Sequence, residues 1–522
     1  VSAAQTVLIA NRGEIAVRLL RSARLLGLRT VAVFSDADRG APHVRMADAA
    51  VRLGPAAPGE SYLRVDAILA AAAEAGADMV HPGYGFLSED ADFAAAVEGA
   101  GMSFAGPTPH QLRVFGTKHT ARAAAVAAGV PVFPGSDLLD SAAAATRAAD
   151  DIGYPVILKA TGGGGGIGMQ VCRARNEVRS GFDRVSRLAE RNFGSAGVFV
   201  ERFVEEARHV EVQIFGDGTG RVLSLGDRDC SLQRRNQKVI EEAPAPALPD
   251  DLRELLHSSS RALAAAVNYR SAGTVEFVYD PRRRQASFLE VNARLQVEHP
   301  VTEAVTGIDL PGWMFRLAGG ERDMLSEHLA AGATTGAVAT RGHAVEARVY
   351  AENPSLDYRP STGTLTAVTF PDRLADGSDV RVDTWVEAGT DVTASYDPLL
   401  AKVIVAAPDR DTALDRLGAA LDATDVRGIE VNIGAARAAL DQHDVRAATH
   451  STATFAGVTD PRPSITVERP GLLTTVQDLP GRLGRWDVGV PPSGPMDDLS
   501  FRLGNRALGN ADGAPGLECT ST

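Results

Sequence analysis

Along the first hundred residues, apolar positions follow two alternating rhythms. TVLIA at 6 to 10 is an unbroken apolar run of strand length, whereas EIAVRLLRSARLLG repeats its apolar residues at helical spacing and stops at Gly27. TVAVFSDAD reads as a second strand that ends in acids, the alanine-rich AILAAAAEAG as a helix, and ADMVHPGYG as a third strand. This order predicts a parallel α/β unit through about residue 105. Its first turn, ANRGEIA, has a single glycine where a dinucleotide-binding turn needs GxGxxG, so that reading fails.

Residues 112 to 150 read as helical and alanine-rich, and YPVILKATGGGGGIGMQVC then gives a strand, a glycine run and a second strand. Glycines suit a loop whose backbone approaches a ligand closely or takes positive φ. A Walker loop needs GK[ST] opening a helix. Here Lys159 precedes the glycines and MQVC continues as a strand, the hairpin flap over phosphates of the ATP-grasp arrangement. Alternation in HVEVQIF places His209, Glu211 and Gln213 on one strand face. From residue 336, GHAVEARVYAENP, TGTLTAVTF, VRVDTWVEAGTDV and LLAKVIV predict a mostly antiparallel lobe closed by the helix TALDRLGAALDAT. DPRPS near residue 460 reads as a linker. The stretch after it is short for a domain of its style, so a longer parent protein is expected.

Composition narrows the chemistry. The 522 residues allow roughly three domains at about 150 residues each. A formal net charge of −13 argues against broad nucleic-acid or membrane-surface binding, so a basic cluster is expected to serve a small local anion. Cys172, Cys230 and Cys519 form neither a paired framework nor a metal-ligand spacing, which fits a reducing compartment. VSAAQTVLIANRGEI has no signal-peptide character, and no apolar run reaches the roughly 18 residues of a membrane span; a cytoplasmic enzyme is expected. Lysine and arginine total 53, yet the lysines are only Lys118, Lys159, Lys238 and Lys402. Codon bias accounts for the scarcity, and the lysines that remain are expected where a compact ammonium is needed in place of a planar guanidinium.

Two stretches carry candidate chemistry. CSLQRRNQKVIEE, 230 to 242, packs Arg234, Arg235 and Lys238 around Asn236 and Gln237. In FLEVNARLQVEHPVTEAVTG, 288 to 307, Glu290 and Asn292 share a strand face, and Glu276 lies on another strand-like run, AGTVEFVYD. Two carboxylates and an amide oxygen are hard donors suited to Mg²⁺ (or Mn²⁺) when triphosphate supplies the remaining ligands. Arg294, Gln296 and Glu298 continue the alternation: a guanidinium that can grip a small oxyanion, an amide that can orient it, and a carboxylate that can take its proton.

IANRGEIAVR, HPGYGFLSE, KATGGGGGIGM, HVEVQIFGD, RDCSLQRR, EVNARLQVEHPVTE and GHAVEAR, taken in order, resemble the biotin carboxylase module of biotin-dependent carboxylases from residue 6 to about 450. The resemblance implies a multidomain α/β and α+β chain. Its parts are a preATP-grasp domain with a Rossmann-like parallel sheet (1–111), an ATP-grasp domain (112–335) with a mobile lid (about 133–203), and a mostly antiparallel C-terminal biotin carboxylase domain with helices (336–455). A linker (456–464) and the truncated, β-rich start of a carboxyltransferase domain (465–522) follow. It also implies a reaction in which bicarbonate attacks the γ-phosphate of MgATP, carboxyphosphate breaks to CO₂ and phosphate, and a ureido nitrogen of biotin captures the CO₂.

By the same resemblance, Lys118, Lys159, His209 and Gln233 are ATP contacts, Glu201 and the backbone at Val204 lie near the adenine, and Gly163, Gly164, Gly165, Gly166, Gly168 and Met169 belong to the flap. Glu276, Glu290 and Asn292 match the metal positions. Lys238 matches the cation facing γ-phosphate and bicarbonate, Arg294, Gln296 and the backbone of Val297 the bicarbonate site, Glu298 the base, and Arg348 the residue that stabilises the biotin enolate. Asn236 stands where many relatives have histidine, and nucleotide binding is expected to survive because a carboxamide also donates one hydrogen bond. QRRNQKVIEE and the tail PGLLTTVQDLPGRLG with WDVGVPPSGPMDDLSFRLGNRALGN resemble the urea carboxylase branch, also found fused in urea amidolyase, whose whole enzymes make allophanate from urea, ATP and bicarbonate. The chain has no Met-Lys-Met site, so biotin is expected on a carrier domain outside it, with a monomer or homodimer both open. Competing readings are the same half-reaction serving guanidine, acyl-CoA or pyruvate, a different ATP-grasp ligase, and a non-catalytic ATP-binding regulatory module.

Overall fold

The computed structural model describes residues 5–160, 168–193, 197–330, 333–462, 465 and 471–520. The chain divides into two compact units, residues 1–461 and 462–522.

The first unit opens with strands β1 (Thr6–Ile9), β2 (Arg29–Ser35), β3 (Ala49–Gly54), β4 (Met79–His81) and β5 (Ser103–Phe104), all parallel in the order β3-β2-β1-β4-β5. Between the first two runs helix α1 (Gly13–Leu25), whose apolar stripe Ile15, Ala16, Leu19, Leu20 and Ala23 is buried, as the helical spacing predicts.

The segment expected to form the lid has a sheet of its own. Strand β6 (Val156–Ala160) pairs antiparallel with both β7 (Met169–Cys172) and β8 (Val198–Arg202), with α2 (Ala142–Ile152) and α3 (Arg175–Phe193) packed on it. Gly163, Gly164, Gly165 and Gly166 lie outside the described residues. Gly168 has φ +80°, a left-handed value that favours glycine, and its carbonyl accepts from Ala160 N at 2.9 Å to start the hairpin.

The largest sheet has nine strands. β9 (Arg208–Asp217), β10 (Val222–Arg234), β11 (Gln237–Ala243), β12 (Arg270–Asp280), β13 (Gln285–Asn292), β14 (Thr335–Ala337), β15 (His343–Tyr350), β16 (Arg381–Thr384) and β17 (Leu399–Ala407) run in the order β13-β12-β9-β10-β11-β15-β17-β16, with β14 alongside β10. The β11–β15 pair carries this sheet straight across residue 336, joining the ATP-grasp strands to the C-terminal lobe. One core runs from the parallel sheet (Leu8, Val31, Val80) to β9 and β12 (Val210, Val212, Val275, Phe277); a second fills the C-terminal lobe.

In the second unit, β18 (Leu473–Gln477) pairs antiparallel with β19 (Gly516–Thr520). Its helix, Asp498–Ala507, is capped by the Asp497 carboxylate, which accepts from Ser500 N at 3.0 Å. Among the described residues, no helix is long and apolar enough to cross a membrane.

Candidate active site

A cleft of about 770 Å³ opens between the lid sheet and strands β9 to β13. Its walls include Lys118, Lys159, Met169, Glu201, Val204, His209, Gln233, Asn236, Lys238, Glu276, Glu290, Asn292, Arg294, Gln296, Val297, Glu298 and Arg348. Residues from six sequence motifs thus face one space. Gly168 lies outside this wall, and the other flap glycines are outside the described residues. A second cavity of about 500 Å³ meets the cleft at Arg294, Val297, Arg348, Tyr350 and Asp397, and is lined further by Glu14, Tyr84, Phe86, Trp385 and Tyr396.

Within the cleft, the Lys238 ammonium lies 2.6 Å from Glu298 Oε1, 2.7 Å from Glu211 Oε2 and 3.1 Å from Glu276 Oε1. Burial alone would depress its pKa, but Cys230, Glu211, Glu276 and Glu298 together raise it well above the ordinary lysine value, so Lys238 is a fixed cation. The other Glu298 oxygen accepts from Arg348 Nη2 at 2.8 Å, and the same guanidinium nitrogen is paired with Glu241. Burial pushes Glu298 up, yet Lys238, Arg348 and Arg228 hold it well below the usual carboxylate range. A carboxylate so held is ionised but a weak proton acceptor. Negative charge brought alongside Lys238 and Arg348 competes for those cations and raises the proton affinity of Glu298.

Arg294 spans Glu89 Oε2 at 2.9 Å and Gln296 Oε1 at 2.8 Å, while Gln296 Nε2 donates to Glu276 Oε1 at 3.2 Å. Here the structure corrects an expectation. β13 ends at Asn292, so Arg294, Gln296 and Glu298 lie on a turn and not on a strand face, and Glu298 stands just before helix α4 (His299–Thr306) without a side-chain capping bond. Pro300, at the helix start, has no N–H to continue a ladder. The turn curls all three side chains round one point.

The cluster at 230 to 242 is also redistributed. Arg234 reaches Glu352 at 3.3 Å and stacks over the Tyr358 ring at 4.3 Å, and exposed Arg235 pairs with Asp357 at 2.6 Å. Of the three cations, Lys238 is the one that joins the buried carboxylates; Arg235 reaches the cleft wall but pairs with Asp357, and both arginines tie the β10–β11 hairpin to the C-terminal lobe. Between the paired residues Arg234 and Gln237, Arg235 has φ +50° and Asn236 φ +68°, so the tip is a two-residue turn with both central residues left-handed. Asparagine tolerates that conformation, which gives Asn236 a backbone reason as well as a place on the cleft wall.

Lys159 pairs with Glu201 at 2.6 Å, and Arg122 reaches the other Glu201 oxygen at 3.0 Å. His209 Nε2 lies 2.9 Å from Glu276 Oε2; burial lowers the histidine pKa, but Glu276 overcomes this and raises it. For a divalent ion, the donor chemistry fits. Burial and then Glu276 raise Glu290, with Lys118 only partly offsetting them, so a cation between the two carboxylates would relieve that repulsion. Asn292, however, turns Nδ2 toward Glu276 at 2.6 Å and Oδ1 toward Arg294 at 3.3 Å, so its oxygen would join the ion only after the amide rotates.

Sequence reasoning missed several supports. Glu89, the last letter of HPGYGFLSE, anchors Arg294. Arg228, 0% exposed, donates to Glu211 at 2.6 Å, Gln213 at 2.8 Å, Thr274 at 3.2 Å and Thr302 at 2.8 Å, clamping α4 to the strands. Both lie in motifs quoted from the sequence, but only folding reveals their partners.

Comparison with known proteins bears on this architecture. Residues 3–112 match the biotin carboxylase N-terminal domain, 117–326 the carbamoyl-phosphate synthase L chain ATP-binding domain, 346–456 the biotin carboxylase C-terminal domain, and 488–522 the carboxyltransferase domain, subdomain A and B. The chain is 46% identical to a biotin carboxylase of Halalkalibacterium halodurans over 450 residues, 86% of this chain and 96% of that protein. It belongs to the biotin carboxylase family and is an ATP-dependent ligase module that runs on into the start of a carboxyltransferase domain. Within that family it is 48% identical to the urea amidolyase of Saccharomyces cerevisiae over 99% of this chain but 27% of that protein. The solved Kluyveromyces lactis urea carboxylase superposes with a TM-score of 0.79 at 41% identity, covering 99% of this chain and 38% of that one. The chain thus spans well under half the length of these two relatives.

Proposed function

We propose that this chain carboxylates biotin with ATP and bicarbonate, as the first half-reaction of a urea carboxylase. The observation that carries the proposal is the meeting of two cavities at Arg294, Val297 and Arg348, where Arg348 joins the Glu298–Lys238 ion-pair cluster of the cleft. One cavity has the size and cations for a nucleotide. The other gives an acceptor access to the same point.

In this reading, Lys118, Lys159, His209 and Gln233 hold the nucleotide, with Glu201, Val204 and Asn236 along its wall. Arg294, Gln296 and the Val297 backbone grip bicarbonate against Lys238. Glu298 takes the bicarbonate proton as its oxygen attacks the γ-phosphorus and ADP leaves. A Mg²⁺ ion bound by Glu276, Glu290 and Asn292 would neutralise phosphoryl charge. Lys238, being already in place, stabilises the charge that spreads over the phosphoryl oxygens with little reorganisation. Carboxyphosphate then breaks to CO₂ and phosphate; the phosphate takes the ureido N–H proton, Arg348 stabilises the negative charge left on the ureido oxygen, and the ureido nitrogen bonds to CO₂. Closure of the lid would keep water from the carboxyphosphate.

Urea as the final acceptor of the parent protein is supported by similarity to a urea amidolyase over 99% of this chain, with the carboxyltransferase match at residues 488–522. Measuring ADP formation by the chain with and without bicarbonate and free biotin tests the half-reaction. Stimulation by both is expected; none from either would overturn it. The parent protein assayed with urea against guanidine tests the acceptor.

A further inference from the structure

Lys402 is the one lysine of the four to which the proposed chemistry gives no role. It lies on β17, directly opposite Arg348 on β15, and is 0% exposed. A buried ammonium beside a like charge is unfavourable unless it is firmly paired. Its Nζ donates to the Val297 carbonyl at 2.8 Å and lies 3.2 Å from Glu14 Oε1 and 3.9 Å from Asp383 Oδ2. Glu14 in turn accepts from the Tyr84 hydroxyl, on the wall of the second cavity. The three acceptors come from separate elements, an arrangement suited to a compact ammonium more than to a flat guanidinium.

The adjoining peptide is held in the same way. His299 Nδ1 lies 2.7 Å from the Gln296 carbonyl, so that nitrogen carries the proton and donates. The carbonyls of Gln296 and Val297 are therefore both occupied from behind, by His299 and Lys402. Among the described residues, no acceptor takes the N–H of Val297 or Glu298. Two successive N–H groups left open at a turn are free to meet an anion.

We propose that Lys402 is a positioning residue that keeps the Val297–Glu298 peptide turned with its carbonyl away from the bicarbonate site and its amide edge toward it. Without this hold the peptide can flip, placing a carbonyl oxygen where the anion must sit. The inference rests on the biotin carboxylase reading above.

The test is steady-state ADP formation by the full chain with free biotin, varying bicarbonate and ATP separately. Lys402→Met is expected to raise the KM for bicarbonate about tenfold while leaving the KM for ATP within about twofold. Lys402→Gln, which keeps an N–H donor, is expected to recover part of the loss. A folded Lys402→Met with an unchanged bicarbonate KM, or a Lys402→Gln no better than Lys402→Met, overturns the proposal. If circular dichroism shows Lys402→Met unfolded, Lys402→Gln decides: a raised bicarbonate KM at constant ATP KM supports the proposal, and no change overturns it. Wild-type protein that ignores bicarbonate overturns the functional reading instead, and this inference with it.

Discussion

The lid strands β6, β7 and β8 close over a core of their own, built from Ala145, Leu158, Val178, Phe182, Val185 and Val200 among others, while the palm strands β9 to β13 share a nine-stranded sheet with the C-terminal lobe. The contrast extends to charge. Described lid residues contribute one tight ion pair to the cleft, Lys159 with Glu201, whereas the palm buries Lys238, Glu211, Glu276, Glu298 and Arg228 in a single network. Charges buried this way need exact partners, and a continuous sheet supplies fixed ones. A body with its own core can instead move without breaking such a network. In the proposed reading the chemistry therefore sits on the half with the continuous sheet, and the expected lid is kept separable.

The strongest test of the palm is Glu298→Gln, which keeps the shape and removes the base. It should lower kcat about 10³-fold with ATP affinity retained, by steady-state rates and nucleotide titration; near-wild-type turnover removes Glu298 as base. Phe277→Ala in the palm, at 0% exposure, should cost about 3–5 kcal/mol of global stability in denaturant unfolding. The matching lid change, Phe182→Ala, should speed amide exchange within the lid and leave palm exchange unchanged. Equal acceleration in both would show one cooperative body and break the comparison.

Acid gives a smaller effect. Burial opposes ionisation of Glu242 on β11, but His343 and Arg410 bring its pKa down to about 2 from an ordinary 4.5. A depressed carboxyl stabilises the fold above its unfolded pKa and loses that contribution as pH falls from about 4.5 toward 2, here up to about 3 kcal/mol. Urea unfolding across that window should show a flatter acid loss for Glu242→Gln, and an identical slope counts against the assignment. Smallest of all is Arg235→Ala. Its pair with Asp357 is exposed on both sides, so stability should change by less than about 0.5 kcal/mol and bicarbonate KM not at all. A large kinetic change would return Arg235 to the anion site.

Much of this was legible in the sequence because it is local. The order of strands and helices follows from periodicity. Glu276, Glu290 and Asn292 came from strand alternation and donor chemistry, and the scarcity of lysine pointed to Lys402 without saying what it does. Arg294, Gln296 and Glu298 do line one cleft, but on a different geometry from the one expected, since alternation reads the same on a strand and on a turn that Pro300 ends. In CSLQRRNQKVIEE the sequence assigns no partner to the two arginines, because nothing near Arg234 announces Glu352 or Tyr358 more than a hundred residues away.

By itself, the sequence determined which segments become strands and helices, which motifs carry phosphate and carboxylate chemistry, and the family that joins them. Backbone preference, side-chain periodicity and functional-group chemistry are properties of short stretches. Only the tertiary structure decided which cations join the buried carboxylate network and which pair elsewhere, that the palm sheet runs unbroken into the C-terminal lobe, and that Lys402 and Glu89 brace the turn at 294 to 298. Those outcomes depend on pairings across 100 to 200 residues, such as Lys402 with Val297 and Arg294 with Glu89. Such a pairing exists only once burial has brought distant strands together and left each charge with the partner that offsets its desolvation.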